Sequence, residues 1–132
     1  MSNAKIILVE DNDGDVLVLE KAIEARGISY QLIRFEDGEQ AIEAITKDAG
    51  LVPDLILLDL NVPRLDGFDV LCRLRTIPRV DGTPNGIFTS SVAAKDRSHS
   101  AMMGADRFIH KPSVLDKFLE QVGAAVEEML GL

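Results

Sequence analysis

The feature that most constrains the fold is a short apolar run that ends on an acid. Residues 55–58 read Leu-Ile-Leu-Leu, and Asp59 follows directly. An apolar run without a helical period predicts a strand that is buried on both faces, as in the middle of a parallel sheet. Pro63 and the pair at 66–67, Asp-Gly, then turn the chain away. A carboxylate at the carboxyl end of such a strand lies where α/β proteins bind ligands, so Asp59 is the leading candidate for a reactive group.

The remaining apolar runs predict four further strands, and apolar residues at helical spacing follow each of them. These strands are expected at Lys5–Val9, Tyr30–Phe35, Gly86–Thr89 and Asp106–His110. Gly86 makes the fourth strand short and atypical. The order βαβαβαβαβα predicts an α/β protein with a doubly wound, five-stranded parallel sheet and right-handed crossovers. A length of 132 residues predicts one domain over 1–132, with no room for an output domain.

Turn and capping residues predict where the helices begin and end. Gly27 is expected to close the first helix, and Ser113 to cap the last one. The segment Pro78–Pro84 predicts a surface loop, and Cys72 a small core residue on the third helix. The last helix carries an apolar stripe composed of Leu115, Phe118, Leu119, Val122, Val126 and Met129.

Composition excludes several classes of function. The 22 acidic residues exceed the 14 basic ones, for a net charge of -8. Nonspecific nucleic-acid binding needs a basic face, so nucleic acid is not an expected partner. The single cysteine cannot form an internal disulfide, which favours a reducing, cytoplasmic location. No apolar stretch approaches the roughly 20 residues of a membrane span, so no membrane association is expected.

The ends of the predicted strands bring a set of reactive groups to one edge of the sheet. Glu10 and Asp11 follow the first strand, Asp59 the third, Thr89 ends the fourth, and Lys111 follows the fifth. Three neighbouring carboxylates repel one another, and a divalent cation such as Mg²⁺ would remove that conflict. A hard cation, a free carboxylate, a lysine and a hydroxyl are together the parts needed to accept a phosphoryl group.

Each of these residues also has an ordinary structural explanation. Glu10 and Asp11 would suit a solvated turn, and Asp59 a helix cap. Thr89 could be an ordinary hydroxyl residue at the end of a strand, and Lys111 an ordinary surface lysine. These ordinary explanations would have to hold at four strand ends of one sheet at the same time. That combination is far less expected than any one of the explanations alone.

The chain carries five motifs at its strand ends and turns: Val9-Glu10-Asp11-Asn12, Leu58-Asp59-Leu60-Asn61-Val62-Pro63 with Asp66-Gly67, Thr89-Ser90-Ser91, Gly104-Ala105-Asp106 and Lys111-Pro112. Taken together, these motifs resemble the receiver domain of bacterial two-component response regulators. The resemblance covers essentially the whole chain, and implies a flavodoxin-like fold with strand order 2-1-3-4-5. The stretch from Val9 to Val16 and the Asn-Val-Pro-Arg turn also look like the stand-alone regulators that are paired with phytochrome-type histidine kinases.

The resemblance implies roles in phosphoryl transfer for the site residues. Asp59 would be the phosphoacceptor, taking its phosphoryl group from the phosphohistidine of a sensor histidine kinase or a phosphotransfer protein. Glu10, Asp11 and Asp59 would hold Mg²⁺, with Asn61 contributing its backbone carbonyl. Lys111 would pair with the phosphate. The chain would catalyse its own phosphorylation and slow autodephosphorylation, and would not be an enzyme that acts on a separate substrate.

The resemblance also implies how the signal leaves the site. Thr89 would be a switch hydroxyl and Phe108 the aromatic switch residue. Asn61 and Ser91 would tune autodephosphorylation. The output surface would be the face formed by the fourth helix, fifth strand and fifth helix, which would bind a downstream protein or a second copy of the chain.

Four other functional interpretations of these residues are weaker. An unphosphorylated pseudo-receiver scaffold would not need the intact acidic cluster. An aspartyl-phosphate phosphatase usually carries an acid where Asn61 stands. An EF-hand would need Gly and Glu where Val16 and Ala22 stand. In a flavin-binding module of the same fold, Glu10 and Asp11 would repel the flavin phosphate.

Overall fold

The computed structural model describes residues 3–132, which form one five-stranded sheet flanked by helices. All strands are parallel and their order is β2-β1-β3-β4-β5, so the predicted doubly wound fold is confirmed. The strands are β1 (Ala4–Val9), β2 (Tyr30–Phe35), β3 (Leu55–Leu58), β4 (Asn85–Thr89) and β5 (Arg107–His110). The helices are α1 (Asp13–Ala25), α2 (Gly38–Lys47), α3 (Gly67–Leu74), α4 (Pro78–Asp81), α5 (Ala94–Met102) and α6 (Leu115–Met129).

Strand β3 lies at the centre of the sheet, between β1 and β4. Leu55 and Leu57 pack into the apolar cluster that includes the buried faces of α1 and α6. Ile56 and Leu58 point the other way, into the cluster that includes the buried faces of α2 and α3. All four side chains are buried. Because both faces are covered, the strand has no polar alternation, as the sequence pattern predicted.

Asn or Asp side chains cap the N-termini of the helices that follow β1, β2 and β3. Asn12 Oδ1 accepts a hydrogen bond from the Asp15 amide at 3.0 Å. Asp37 and Asp66 make the same bond to the third residue of α2 and α3, at 2.8 and 2.9 Å. These bonds satisfy amides that the helix itself leaves free. At the other end of α1, Gly27 adopts the positive φ of 71° that a helix-terminating glycine supplies, as predicted.

The segment Pro78–Pro84 differs from the predicted surface loop. It begins with one turn of helix, α4, in which Pro78 occupies the first turn and Val80 is buried. Proline suits this position because its φ is already helical and its missing amide donor is not needed there. One turn is too short to show an apolar period. The expected fourth and fifth helices are therefore α5 and α6.

The start of α6 was also predicted wrongly. The helix begins at Leu115 after Val114, and no side-chain hydrogen bond caps it, whereas Ser113 is exposed. Leu115 is 58% exposed, so it lies outside the buried part of the apolar stripe. Phe118 starts the part that packs against the core. A stripe predicted from spacing alone extends past the point where the sheet stops covering the helix.

Cys72 lies on α3 as predicted but is exposed, not part of the core. Its neighbours Val70, Leu71 and Leu74 face the sheet instead. Eight residues of helix bury only one face, and Cys72 falls on the other.

Strand β4 is regular despite its glycine and begins one residue earlier than predicted. It pairs with both β3 and β5. The buried Asn85 side chain explains the early start, because its Oδ1 accepts from the Asp106 amide at 3.3 Å while the Asp106 carboxylate accepts from the Asn85 amide at 2.9 Å.

Within the described range 3–132, no helix is both long and apolar enough to cross a bilayer.

Candidate functional site

The carboxyl ends of four strands converge on one site, as the topology requires. Glu10 follows β1, Asp59 follows β3, Thr89 ends β4 and Lys111 follows β5. Backbone bonds beyond the strand ends keep these residues in register. The Asp59 amide donates to the Val9 carbonyl at 3.0 Å, and the Lys111 amide donates to the Thr89 carbonyl at 2.7 Å.

The Lys111 ammonium is the centre of the charge network. Its Nζ lies 2.5 Å from Glu10 Oε2, 2.9 Å from Asp15 Oδ2 and 3.1 Å from Asp59 Oδ2. It also lies 4.8 Å from the centre of the Phe88 ring. Lys111 is only 8% exposed, and Glu10 and Asp59 are 0% and 5% exposed. The charges are therefore desolvated and depend on one another.

Burial is the largest influence on the pKa values of Glu10 and Lys111. Burial and, to a smaller extent, the Asp59 charge raise the pKa of Glu10, the hydrogen bond from Lys111 lowers it, and the net pKa is about 7. Burial lowers the pKa of Lys111, but hydrogen bonds to Asp15 and Glu10 outweigh it, and the net pKa is raised. Lys111 therefore stays a cation, whereas Glu10 gains a proton easily.

Glu10, Asp11 and Asp59 form an acidic cluster that could hold a metal ion. Each offers a carboxylate oxygen, and these oxygens lie within 4.8 Å of one another. Among residues 3–132 this is the only group of three or more such side chains. Asp11 is exposed while the other two are buried, so the cluster opens to solvent on one side. An all-oxygen set of this kind fits Mg²⁺, which keeps several waters and takes few carboxylates.

Asn61 contacts this cluster directly, whereas Thr89 and Ser91 lie at the carboxyl end of β4 and contact each other. The Asn61 amide donates to Asp59 Oδ1 at 3.1 Å, and its side chain is exposed. Thr89 is fully buried, and its Oγ1 accepts from the Ser91 amide at 3.2 Å. The Ser91 hydroxyl donates to Asp96 Oδ2 at 2.6 Å.

Phe108 lies on β5, next to Ile87 of β4 in the sheet register. It is half-buried and packs against the apolar cluster that contains Ile87 and Leu58. The guanidinium of Arg97, from α5, lies 4.7 Å from the centre of its ring. The side chain is thus held between the sheet and α5.

Three supporting residues were not identified as such from the sequence. Asp15 accepts a hydrogen bond from the Lys111 ammonium, although none of the sequence motifs indicated a role for it in the site. Arg34 donates from Nε to the Glu10 carbonyl at 3.0 Å. Gly67 lies so close to Asp59 that a Cβ would come 2.6 Å from the Asp59 carbonyl oxygen. Of these, only Gly67 had a visible signal, in the Asp66-Gly67 pair after the central strand.

Comparison with known proteins agrees with this geometry. The protein-family model of the response regulator receiver domain matches residues 6–123 of this chain. Sporulation initiation phosphotransferase F of Bacillus subtilis is 31% identical over 123 residues, which cover 92% of this chain and 93% of that protein. The chain spans about half the length of several other curated relatives that it matches.

Solved structures show the same architecture. The phosphorylated cyanobacterial phytochrome response regulator RcpA superposes with a TM-score of 0.89 at 28% identity, covering 98% of this chain and 95% of that one. The Mn²⁺-bound form of the response regulator Rcp1 superposes with a TM-score of 0.86 at 27% identity, covering 96% and 94%. The family match, the sheet order and the acidic cluster agree, and the chain therefore belongs to the response regulator receiver domain family of two-component signalling.

Proposed function

We propose that this protein acts in phosphorelay signal transduction, with Asp59 accepting a phosphoryl group from the phosphohistidine of a sensor histidine kinase or phosphotransfer protein. The observation that carries the proposal is the surroundings of the Asp59 carboxylate. It follows the central strand, lies 3.1 Å from the Lys111 ammonium, and shares an acidic cluster with Glu10 and Asp11. The name of the Bacillus subtilis relative and the phosphorylated state of RcpA support the same chemistry.

The transfer exchanges one bond to phosphorus for another. An oxygen of the Asp59 carboxylate forms a bond to phosphorus as the phosphorus–nitrogen bond of phosphohistidine breaks. The electron pair of the broken bond stays on the imidazole, which takes up a proton and leaves as neutral histidine. Lys111 faces the oxygens that gather negative charge during transfer, and its ammonium stabilises that charge strongly because it is largely shielded from water.

Glu10, Asp11, Asp59 and the backbone carbonyl of Asn61 would hold Mg²⁺ in this site. When bound, the ion neutralises negative charge on the carboxylates and on the phosphoryl oxygens. The proposal is supported by the mutual distances of the three carboxylate oxygens, which lie within 4.8 Å, and by the Mn²⁺-bound form of Rcp1.

Thr89 and Phe108 would convert phosphorylation into a change of surface. A hydroxyl drawn toward the phosphoryl group leaves the Ser91 amide, 3.2 Å away in this structure. The space that it leaves would let Phe108 rotate inward from its place beside Arg97. The changed face would be the one formed by α5, β5 and α6, which would bind a downstream protein or a second copy of the chain. A local charge thereby biases a two-state element.

The site favours a long-lived phosphoryl group. Asn61 is neutral where a phosphatase would carry an acid, and Ser91 already donates its hydroxyl to Asp96 at 2.6 Å. Neither side chain provides a base for water. We therefore infer slow autodephosphorylation, with no catalysis on a separate substrate. The cytoplasmic location stays a prediction.

The first test is the mass of the intact protein after incubation with acetyl phosphate and Mg²⁺. We expect one phosphoryl adduct on the wild type and none on Asp59→Asn, because the amide is not a nucleophile for phosphorus. Asp54→Asn is the matched control, since Asp54 is exposed at the opposite end of β3. It should label like the wild type.

Two other results would contradict the proposal. A wild-type protein that takes up no phosphoryl group from acetyl phosphate or from a phosphorylated kinase would favour the pseudo-receiver scaffold. Rapid, repeated release of phosphate from small phosphoesters would favour the aspartyl-phosphate phosphatase instead.

A further inference from the structure

We propose that Asp15 is a positioning residue that keeps the Lys111 ammonium in the site when a metal ion occupies the other carboxylates. The inference rests on the proposed function, because it concerns the lysine that faces the phosphoryl group. The three carboxylates that bind Lys111 differ in whether they also belong to the acidic cluster. Glu10 and Asp59 belong to the acidic cluster that could hold a metal, whereas Asp15 does not.

The three bonds use the full donor capacity of the lysine. An ammonium has three N–H donors, and Lys111 Nζ lies within 3.1 Å of three separate carboxylates. Each of the three acids therefore satisfies one donor. In a buried position a lost partner is not replaced freely by water, so the loss of two partners would leave the ammonium without adequate compensation.

A divalent ion in the acidic cluster would weaken two of these bonds. It would draw on the same carboxylates, Glu10 and Asp59, and its charge would repel the ammonium nearby. The Asp15 carboxylate is outside that cluster and is free to keep its bond to Nζ at 2.9 Å. Among the three carboxylates that bind Lys111 in residues 3–132, Asp15 is thus the one that metal binding does not compete for.

The local fold holds Asp15 in place for this role. It is the third residue of α1, and its amide donates to the Asn12 side chain at 3.0 Å. Its carboxylate is one-third exposed, and together with Lys111 it lines a groove of about 350 Å³ beside Pro112. Without Asp15, the long lysine side chain could turn toward that groove and away from Asp59.

Asp13 provides a matched control on the same turn of α1. It carries the same charge near the same helix N-terminus, but it pairs with Arg34 at 2.6 Å and not with Lys111. Asp13→Asn and Asp15→Asn therefore remove equal charge from the molecule and from the helix dipole. Only Asp15→Asn removes a partner of the lysine.

A double-mutant cycle in metal-free protein measures the contact itself. Unfolding by denaturant is followed in EDTA for wild type, Asp15→Asn, Lys111→Met and the double variant. Asp15→Asn should change the unfolding equilibrium constant about tenfold in the wild-type background, and by much less beside Lys111→Met. The corresponding cycle with Asp13→Asn should be additive. If Lys111→Met does not fold, Lys111→Gln replaces it. Additivity in the Asp15 cycle would overturn the proposal.

The second measurement is the rate of Asp59 phosphorylation by phosphoramidate at saturating Mg²⁺. Asp15→Asn should be about tenfold slower than Asp13→Asn, and Asp15→Glu should recover the rate to within about threefold of the wild type. Mg²⁺ affinity, measured by thermal shift without phosphodonor, should change equally in the two Asn variants, so that the rate difference does not reflect lost metal.

The outcomes separate the two proposals. Equal rates for Asp15→Asn and Asp13→Asn, or a faster Asp15→Asn, would overturn the role of Asp15 while leaving Asp59 as the acceptor. A wild-type protein that takes up no phosphoryl group would overturn the proposed function, and the role of Asp15 in it, whatever the cycle showed.

Discussion

At the scale of single residues, Glu10 is a buried acid whose surroundings disfavour its charged form. Its carboxyl is completely buried, and its pKa is raised to about 7, first by that burial and then by the Asp59 charge. In an unfolded chain the same group titrates near 4.5. The folded protein therefore binds the Glu10 proton more tightly than the unfolded chain does.

This difference predicts a pH dependence in metal-free protein. The stabilising contribution of protonated Glu10 is fully present below pH 4.5 and is lost as pH rises through about 7. In EDTA, the free energy of unfolding should thus fall from about pH 5 to 8, by up to about 3 kcal/mol from this group.

The variant Glu10→Gln tests whether Glu10 causes this pH dependence, because its side-chain amide cannot titrate. Denaturant unfolding at a series of pH values should show a much flatter profile for this variant over the same range. Glu20, which is half-buried on α1, gives the comparison variant, Glu20→Gln, whose profile should follow the wild type. An equally steep fall in Glu10→Gln would place the titrating group elsewhere.

At the scale of elements, the close approach of α3 to the end of β3 supports the Asp59 loop. Gly67 begins α3 directly against the Asp59 carbonyl, where a Cβ would be 2.6 Å from the oxygen. A side chain there must push apart the loop and the helix. The glycine is needed for this contact and not for its backbone angle, since Gly67 has no positive φ.

Gly67→Ala should therefore destabilise the fold by about 1–3 kcal/mol and slow phosphorylation of Asp59. Gly82→Ala is the control, because a Cβ at Gly82 meets nothing within 4 Å and its φ is negative. Denaturant unfolding and acetyl phosphate labelling of both variants provide the measurements. Equal stability of the two variants would mean that the loop moves aside at no cost.

Helix α5 is the most weakly anchored of the longer helices. Ser100 is its only buried residue, and no side chain caps its start. By contrast, α1 buries four residues and α6 buries five. Few buried contacts imply a low free energy of local opening.

We predict that backbone amides of α5 exchange with deuterium faster than those of α1 and α6. Hydrogen–deuterium exchange followed by mass spectrometry would measure this on the unmodified protein, with peptides from α1 and α6 as internal references. Protection of α5 as strong as that of α6 would show that contacts such as Arg97 with the Phe108 ring anchor the helix fully.

At the scale of the whole molecule, a net charge of -8 and a partly buried acidic cluster both oppose folding. Self-repulsion over the surface is relieved by any salt, because ions screen it. The repulsion in the cluster is local: Lys111 compensates part of it, and among added ions only one that binds there relieves the rest. The two effects can therefore be separated by the choice of salt.

Mg²⁺ should raise the melting temperature of the wild type above the value in NaCl at the same ionic strength. At 100 times its dissociation constant, the ion would add about 2.7 kcal/mol of stability. Asp11→Asn should lose most of this increment, and because Asp11 is exposed the change leaves the core intact. Chelation with EDTA should reverse the effect. Equal shifts in both salts would indicate screening alone.

The sequence was sufficient for the fold class and for the placement of most of the candidate site residues. Apolar runs without a helical period predicted all five strands, and their ends correctly brought Glu10, Asp59, Thr89 and Lys111 to one edge. This worked because strand burial depends on short-range hydrophobic pattern, and parallel strands all end on the same side.

Other features depend on how distant elements pack, and only the tertiary structure decided them. The packing of α1 against α6, the helix that follows Lys111, brings Asp15 to that lysine, 96 residues away. The outward face of α3 leaves Cys72 exposed, and the end of sheet coverage leaves Leu115 in solvent. Local patterns record which residues prefer burial, but the relative placement of packed elements determines which of them are covered and which charges meet.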